Sequence, residues 1–308
     1  MSETSFDAEI AEAAAAPESN EGWRLEWFVV FGMVLYHALA LLAFTPWFFS
    51  WTGVIVAIAG HYIIALPGIS LSYHRQLTHR AFTTPRCLEY ILAIFGVCCA
   101  LGPPTYWAAV HRRHHALTDG ERDPHSPQEG FFWSHIAWLA WRSDSMQRGV
   151  VTRRYVKDLL RDPFYVWLER YWAVIVGISW MMFFAGGFWA GKLQGMTTAD
   201  AVHFGIAMVL WGCVVRALIT WHSIWAVNSA GHLWGYRNYD TRESSRNNPL
   251  VAMLVMGEGY HNNHHAAPSA AIQGHRWWEW DPSWRIIQVL AALGLAKDIV
   301  MPPPRRMR

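Results

Sequence analysis

The chain contains four apolar stretches in two pairs, and a long polar segment follows each pair. The apolar stretches cover residues 27–45, 47–66, 171–190 and 201–221. Each holds about 20 residues, the length that a helix needs to cross roughly 30 Å of hydrocarbon. The pattern therefore predicts an all-α integral membrane protein with four transmembrane helices.

Short connections between these stretches predict two helical hairpins. Only Pro46 separates the first two, and residues 191–200 separate the last two. A shorter apolar run, residues 88–101, is followed by Pro103 and Pro104, which cannot continue a helix in its interior. We expect that run to be a helix buried in the protein or lying at the membrane surface.

The distribution of basic residues predicts the orientation of the hairpins. Thirteen Lys and Arg residues lie in residues 67–170, and nine follow Trp221, whereas the two short connections contain only Lys192. Lys and Arg collect in cytoplasmic loops. We therefore expect both termini and both polar segments to be cytoplasmic, with the polar segments forming a helical cap beneath the membrane.

Composition supports a membrane location and excludes other classes. The chain is 53% apolar and 16% charged, and its 20 Trp residues suit a bilayer interface. The four Cys form no CxxC pair, which argues against a disulfide scaffold or a thiolate zinc site. No basic patch interleaved with aromatic residues indicates nucleic acid binding. Residues 1–22 carry six acidic residues and no Lys or Arg, and we expect a disordered acidic tail before one domain at 23–308.

Histidine is the strongest clue to chemistry, since the chain contains 16. Nine of them form four short groups in the two polar segments. They are His74 and His79; His111, His114 and His115; His232; and His261, His264 and His265. Positions i, i+3 and i+4 share one helix face, so each HxxHH group is expected to direct three imidazoles at a common point. His74 and His79 lie about 140° apart on an ideal helix and would converge only from a helix end.

Nine imidazoles are too many for one tetrahedral zinc but suit two metals of higher coordination number. Iron can activate oxygen whereas zinc has no redox change, so we expect two iron ions, O2 as co-substrate and oxidation of a lipid. His125 is interpreted as a loop residue or a neighbour of the ligands. His37, His61 and His203 lie in apolar stretches and are interpreted as hydrogen-bonded between helices.

The motifs HRQLTHR, HRRHH and GEGYHNNHH, with NSAGH about thirty residues before the last, resemble those of the membrane fatty acid desaturases, and specifically the stearoyl-type delta-9 branch. The resemblance runs from about Trp27 to Val300. It implies four transmembrane helices, a cytoplasmic cap and a di-iron centre held by the nine histidines named above. Asn228 matches a position that reaches one iron through a water molecule.

The same resemblance implies how an acyl chain would bind. Trp225 and Trp107 match positions that line a bent substrate tunnel, although Ile224 stands where animal members have Thr. Ala109 and Val110 replace an Arg-Asp pair that contacts CoA in the animal enzymes. The carrier of the acyl chain is therefore open: CoA, a carrier protein or a lipid.

Charged partners are expected on the cytoplasmic side. Four arginines beside the histidine motifs could neutralise an anionic head group. They are Arg75, Arg80, Arg112 and Arg113. The chain has no iron–sulfur, heme or dinucleotide motif of its own, so electrons would come from an external donor such as a ferredoxin or a cytochrome b5.

Two alternative functions fit parts of the pattern. A lipid hydroxylase or ketolase uses a similar histidine set but leaves an oxygen atom on the carbon. A membrane metal transporter would place His or acidic residues along the spans, whereas the motif histidines lie outside them. We expect a fatty acyl desaturase that inserts a cis double bond, with delta-9 as the expected position.

Overall fold

A computed structural model of the chain describes residues 10–13, 15, 22–304 and 307–308, and most of it is helical. The helices are α1 (Trp27–Ala43), α2 (Trp51–Thr78), α3 (Arg86–Val97), α4 (Pro104–Leu117), α5 (Trp133–Ala137, continued by Trp138–Ala140), α6 (Arg148–Tyr155), α7 (Lys157–Leu160), α8 (Pro163–Leu193), α9 (Thr198–Leu233), α10 (Pro249–Leu254), α11 (His261–Ala266) and α12 (Pro282–Ala292). Two short strands, β1 (Arg24–Leu25) and β2 (Trp141–Arg142), pair antiparallel.

Three helices are long and apolar enough to cross a membrane: α2, α8 and α9. The first predicted span, residues 27–45, appears as α1, an apolar helix of 17 residues. The chain is therefore a helical membrane protein with three candidate spanning helices among the residues described.

The second predicted span, residues 47–66, belongs to a longer helix, because α2 continues through Pro67 to Thr78. From His61 onward the backbone takes wider, π-type turns. Such turns let a membrane helix tolerate the missing N–H of proline, since neighbouring backbone groups adjust to satisfy the freed carbonyl. The extension carries His74 on a buried helix rather than on a loop.

Helices α8 and α9 form the predicted second hairpin and pack closely. Side-chain oxygens cap both helices: Asp162 accepts from the N–H of Phe164 at 3.0 Å, and Thr197 accepts from the N–H of Asp200 at 3.2 Å. A Cβ on Gly187 would lie 3.0 Å from the Cα of Gly205. Glycines permit this approach, as is common where membrane helices meet.

The polar segments of the chain pack around the C-terminal ends of α2 and α9. The predicted helix at 88–101 is α3, which is partly buried; a Cβ on Gly68 of α2 would lie 2.3 Å from the backbone of Gly96 of α3. The C-terminal helix α12 begins at its cap Asp281, which accepts from the N–H of Trp284 at 2.9 Å, and its Ile287 is buried.

The expected acidic tail, residues 1–22, lies mostly outside the described residues. Residues 10–13 and 15 are helical. Ile10 and Ala13 pack against the core, and the guanidinium of Arg154 donates to the carbonyl of Ala13 at 2.6 Å.

Candidate metal centre

The nine motif histidines gather into two neighbouring clusters. Within each cluster, one ring nitrogen per residue lies within 4.8 Å of all the others. The first cluster contains His74, His79, His111, His115 and His264. The second cluster contains His114, His232, His261 and His265. Helices from both halves of the chain contribute to each cluster, so the fold itself brings the motifs together.

The HxxHH groups do not behave as expected, because each one is divided between the clusters. On α4, His111 and His115 join the first cluster and His114 joins the second. One step along a helix rotates a side chain by about 100°. His114 therefore leaves α4 in a different direction from its neighbour, and α4 serves both clusters. Helix α11 is divided in the opposite sense, with His264 in the first cluster and its other two histidines in the second.

The weakest sequence signal, the pair His74 and His79, is brought together at a helix end as anticipated. His74 lies within α2, and His79 is the residue that ends it. Their ring centroids are 4.8 Å apart. The turn at the end of α2 thus removes the angular separation that a regular helix would impose.

The spacing of the ring nitrogens fits metal coordination. The Nε2 atom of His264 lies 2.8 Å from that of His115 and 3.2 Å from that of His74. In the second cluster, the Nε2 atom of His261 lies 3.0 Å from those of His232 and His265. A metal bound by imidazole nitrogens at about 2.0–2.1 Å holds donors at right angles about 3 Å apart. The donor sets therefore fit two metal ions.

Burial keeps seven of these imidazoles neutral. It lowers the pKa well below the usual range for seven of the histidines, and neighbouring imidazoles add to the effect. These residues are His79, His111, His114, His115, His261, His264 and His265. A neutral imidazole offers a lone pair, which a metal requires, so the clusters can bind metal at neutral pH without first losing protons.

Buried carboxylates contact the outer nitrogens of two histidines. Glu258 contacts the Nδ1 atom of His74, and Asp123 lies 2.9 Å from the Nδ1 atom of His114. The Nδ1 atom of His232 instead hydrogen-bonds the hydroxyl of Ser244 at 3.2 Å, and the partly buried Asp119 lies 3.5 Å from it. Carboxylates in this position orient a ligand imidazole and strengthen it as a donor.

The sequence analysis did not predict these carboxylates. Glu258 lies inside the motif GEGYHNNHH, and Asp119 and Asp123 closely follow HRRHH, so proximity to the histidine motifs was the available signal. Gln273 was missed too. Its side-chain amide lies 3.3 Å from the Nδ1 atom of His264, and no motif marks it.

Arg75 belongs to this buried network. Its side chain is 1% exposed and lies 3.0 Å from both Glu258 and Asp281. Burial alone would raise the pKa of Glu258, but Arg75, His74 and Ser70 together lower it to about 2. Arg75 therefore stabilises the carboxylate behind His74, which argues against the head-group role suggested for it.

The other three arginines of the expected head-group set also have internal contacts. Arg112 is buried and lies 2.7 Å from Asp158, which also pairs with Arg80 at 2.7 Å. Arg113 is buried and donates to the hydroxyl of Ser145 at 3.2 Å. These contacts argue against a head-group role for Arg112 and Arg113, whose side chains brace the segments that follow α4.

An apolar cavity borders one side of the centre. Trp107, Trp225 and Asn228, which the sequence analysis named, line its wall. His74 and His111 of the first cluster face it, as does His261 of the second. The rest of its lining is largely apolar and includes Ile69, Leu101, Val110 and Ile224. Both clusters are therefore accessible to an apolar ligand from this side.

A second cleft, which is open, also borders the centre. His79 and His115 of the first cluster and His265 of the second line it. Arg122 and Arg242 lie at its rim and are exposed. The centre thus borders both an apolar cavity and a cleft that is open to solvent.

The histidines outside the clusters also have defined partners. His61 hydrogen-bonds Thr220 across two helices at 2.9 Å, as expected. The expected hydrogen bond of His203 is not found: this ring stacks on Phe48 with centroids 5.0 Å apart, and its buried Nε2 atom has no hydrogen-bond partner among the described residues. His125 packs on His114 with ring centroids 4.2 Å apart, so it is a neighbour of the second cluster.

Comparison with known proteins identifies the family. The family model for fatty acid desaturases matches residues 50–296, about four fifths of the chain. The chain belongs to the fatty acid desaturase family. This membrane desaturase is an oxidoreductase that acts on fatty acyl chains with O2, as the motifs had predicted. The hydroxylase and transporter alternatives are not favoured by this match.

Curated relatives cover almost the whole desaturase. The sn-2 palmitoyl-lipid 9-desaturase of Nostoc sp. is 40% identical over 294 residues, 95% of this chain and 96% of the relative. The sn-1 stearoyl-lipid 9-desaturase of Synechocystis sp. is 39% identical over 96% of this chain and 86% of the relative. An acyl-CoA C20 Delta5-desaturase of Anemone leveillei is 40% identical over 86% of this chain and 79% of the relative.

Proposed function

We propose that this desaturase inserts a cis double bond at the delta-9 position of an acyl chain that is esterified in a membrane lipid, at a di-iron centre. The observation that carries the proposal is the pair of histidine clusters at the wall of one apolar cavity. The named relatives that match the full chain support both the position and the lipid carrier.

The ligands in this proposal are the members of the two clusters. His74, His79, His111, His115 and His264 would hold one iron, and His114, His232, His261 and His265 the other. The second set has one imidazole fewer, and Asn228 lies on the cavity wall where its side chain could hold a water as a further ligand. Bound iron would supply the oxidising chemistry that removes hydrogen from an unactivated methylene group, with O2 as co-substrate.

The remaining residues would place the substrate and keep the site dry. Trp107 stacks on His111 with ring centroids 5.0 Å apart, so its indole would meet an acyl chain just before the chain reaches the histidines. Trp225 is 4% exposed and closes the wall across from it. Rigid aromatic walls restrict which pair of carbons lies beside the centre, and that restriction would set the bond position.

The lipid carrier is favoured over CoA by the residues that precede HRRHH. Ala109 and Val110 are buried, at 0% and 5% exposed, and neither can bind a phosphate. In this chain the acyl group would therefore arrive attached to a membrane lipid, as the printed names of two relatives describe for those proteins.

Topology and electron supply complete the proposal. Helix α1 would cross the membrane as a fourth span with α2, α8 and α9, and the termini and the histidine clusters would lie in a cytoplasmic cap. A ferredoxin or cytochrome b5 type donor would approach the open cleft, where His79, His115 and His265 provide the shortest path to the centre and Arg122 and Arg242 attract an acidic carrier.

The test is expression in a host that lacks unsaturated fatty acids. We expect a product that is lighter by two hydrogens, with its double bond at carbon 9, in intact membrane lipids before it is found in the acyl-CoA pool. His264→Ala should abolish the product, whereas the matched variant His203→Ala, outside the clusters, should retain it. A gain of one oxygen atom would instead favour the hydroxylase. A double bond that appears in acyl-CoA before it appears in membrane lipids would contradict the lipid carrier.

A further inference from the structure

Three histidines outside the clusters form one continuous hydrogen-bonded chain. The Nε2 atom of His37 lies 3.1 Å from that of His222, and the Nδ1 atom of His222 lies 3.0 Å from the Nε2 atom of His135. The chain continues to the hydroxyl of Ser229, 2.9 Å from the Nδ1 atom of His135. We call His37, His222, His135 and Ser229, with the hydrogen bonds that join them, the histidine chain.

The proton positions in the histidine chain follow from its end. The Nδ1 atom of His37 lies 2.7 Å from the carbonyl oxygen of Met33, which can only accept, so this nitrogen is the donor. With neutral rings, the Nε2 atom of His37 must accept from His222, His222 must accept from His135, and His135 must accept from Ser229. Each ring donates once and accepts once where it meets the next. The hydroxyl of Ser229 has one hydrogen, so it then donates to His135 in place of the carbonyl oxygen of Trp225, 3.1 Å away.

The histidine chain connects three separate elements. His37 lies on α1, His135 on α5 and His222 on α9. Strand β2, which follows α5, pairs with strand β1 just before α1, and the N–H of Glu26 donates to the carbonyl of Ala140 at 2.7 Å. Helix α5 is therefore held against two apolar helices, α1 and α9.

Helix α5 is also part of the wall of the acyl cavity. Trp138 and Leu139 line that cavity. Ile136 and Leu139 pack against the cluster that contains Trp221 and Trp225 of α9. Removing α5 from its place would therefore open the cavity sideways, between α1 and α9.

The start of the same segment is exposed and apolar. Phe132 is 72% exposed and Phe131 is 44% exposed. Phe131 meets Trp234, itself 59% exposed, with ring centroids 5.7 Å apart. These exposed aromatic side chains belong to the same segment as α5, which contacts the apolar helices α1 and α9. Exposed aromatic groups at that position suit the lipid interface.

The attachment of α5 suits reversible opening. Gly130, just before α5, has φ +100°, a backbone conformation that glycine adopts freely, and Trp133–Ala137 has wide π-type turns. Hydrogen bonds between imidazoles can be exchanged for bonds to water or to lipid ester groups at the interface, so their net cost of opening is small.

From these contacts we propose that residues 130–142 form a lateral gate through which the acyl chain of a membrane lipid enters the cavity, and that the histidine chain holds this gate closed. The inference rests on the proposed lipid substrate. A lipid-linked chain cannot leave the bilayer with its head group, so it must reach the cavity from the side, and α5 is a short wall element between the cavity and that side.

The gate can be tested by linking it shut. In a Cys87→Ser background, which removes an exposed thiol, Phe131→Cys and Trp234→Cys would be joined by a short, reducible bifunctional thiol reagent. The probe is a phosphatidylglycerol with a diazirine near carbon 9 of its acyl chain, in phosphatidylglycerol vesicles. We expect linking to reduce labelling of the α4 peptide that contains Trp107 at least tenfold, and a reductant to restore it. Each single-cysteine variant, treated identically, is the control.

Unchanged labelling after complete linking would overturn the gate while leaving the lipid substrate intact. Absence of labelling before linking would contradict the proposed lipid substrate itself, and the gate with it. The two failures are thus distinguishable, and neither depends on activity.

The histidine chain can be tested separately. His135→Ala removes the ring that α5 contributes to it and should increase the initial rate of labelling several-fold, with bound iron unchanged. His203→Ala is the matched control, since His203 stacks on Phe48 away from the histidine chain and should leave the rate as it is. A rate that is unchanged in His135→Ala would show that the histidine chain does not hold the gate.

Discussion

His114 and His115 are adjacent in the chain, yet their imidazoles belong to different clusters. The Nε2 atom of His115 lies 2.8 Å from that of His264, whereas the Nε2 atom of His114 lies 3.4 Å from that of His265. Because successive helix residues are rotated by about 100°, these two neighbouring histidines serve two different clusters. One turn of α4 contributes to both, which fixes the distance between the clusters.

This division predicts how iron is lost. His115→Ala should weaken the site of the first cluster, and His114→Ala the site of the second, so each should lose about half of the bound iron and all of the desaturated product. Iron per protein and the Mössbauer spectrum of the remaining iron would measure this. The spectra of the two variants should differ, because a different site survives in each. Full iron content in either variant would contradict its place as a ligand.

Glu258→Gln tests the carboxylate behind His74. The substitution removes the charge that accepts from the His74 ring and leaves Arg75 with Asp281 as its remaining carboxylate. Loss of such a partner costs roughly 10–100-fold in metal affinity, so iron should dissociate at correspondingly lower chelator concentration. Glu129→Gln, an exposed position, is the control. Equal chelator sensitivity in both variants would rule out this role.

Asp158 predicts a pH dependence of stability. Burial would raise the pKa of Asp158, but hydrogen bonds and charges from Arg112 and Arg80 lower it overall. A carboxylate with a lowered pKa stabilises the fold above its unfolded pKa of about 3.9, and this contribution is lost as pH falls through the lower folded value. Asp158→Asn should therefore lower the melting temperature at pH 7, and the difference from the wild type should shrink below about pH 4. A difference that is constant with pH would contradict the ion pair.

Filling the apolar cavity should block the substrate without disturbing the metals. Ile224 lines the cavity between the two tryptophans, and Ile224→Trp should reduce desaturation of stearoyl lipid at least tenfold while bound iron is unchanged. Val174→Trp, at a position 58% exposed on α8, should leave activity unaltered. If activity survived in Ile224→Trp, the acyl chain would have to bind elsewhere.

The sequence predicted the chemistry of the site better than it predicted the local geometry. The histidine motifs, Trp107, Trp225 and Asn228 are brought to one place, because each motif lies at the end of an apolar helix or on a short helix packed against one. The course of α2 beyond Pro67 was missed, since periodicity assumes regular turns. The division of each HxxHH group was missed as well, because one helix considered alone does not reveal that two clusters flank it.

Long-range partners could not be predicted at all. Glu258 contacts His74 and Arg75, which precede it by 184 and 183 positions, and neither residue type nor spacing marks that contact. The same is true of Asp158, which binds Arg112 of α4 and Arg80 just after α2. These pairings depend on how α2, α4 and α7 pack, which is a property of the complete fold.

The placement of the histidines beside both an apolar cavity and an open cleft has a consequence for the order of events. His111 faces the cavity and His115 faces the cleft, although they lie on one helix, one turn apart. The acyl chain and the proposed electron donor would therefore reach the centre through separate openings. Binding of one would not require release of the other, so a new lipid could already occupy the cavity while electrons were delivered from the cleft.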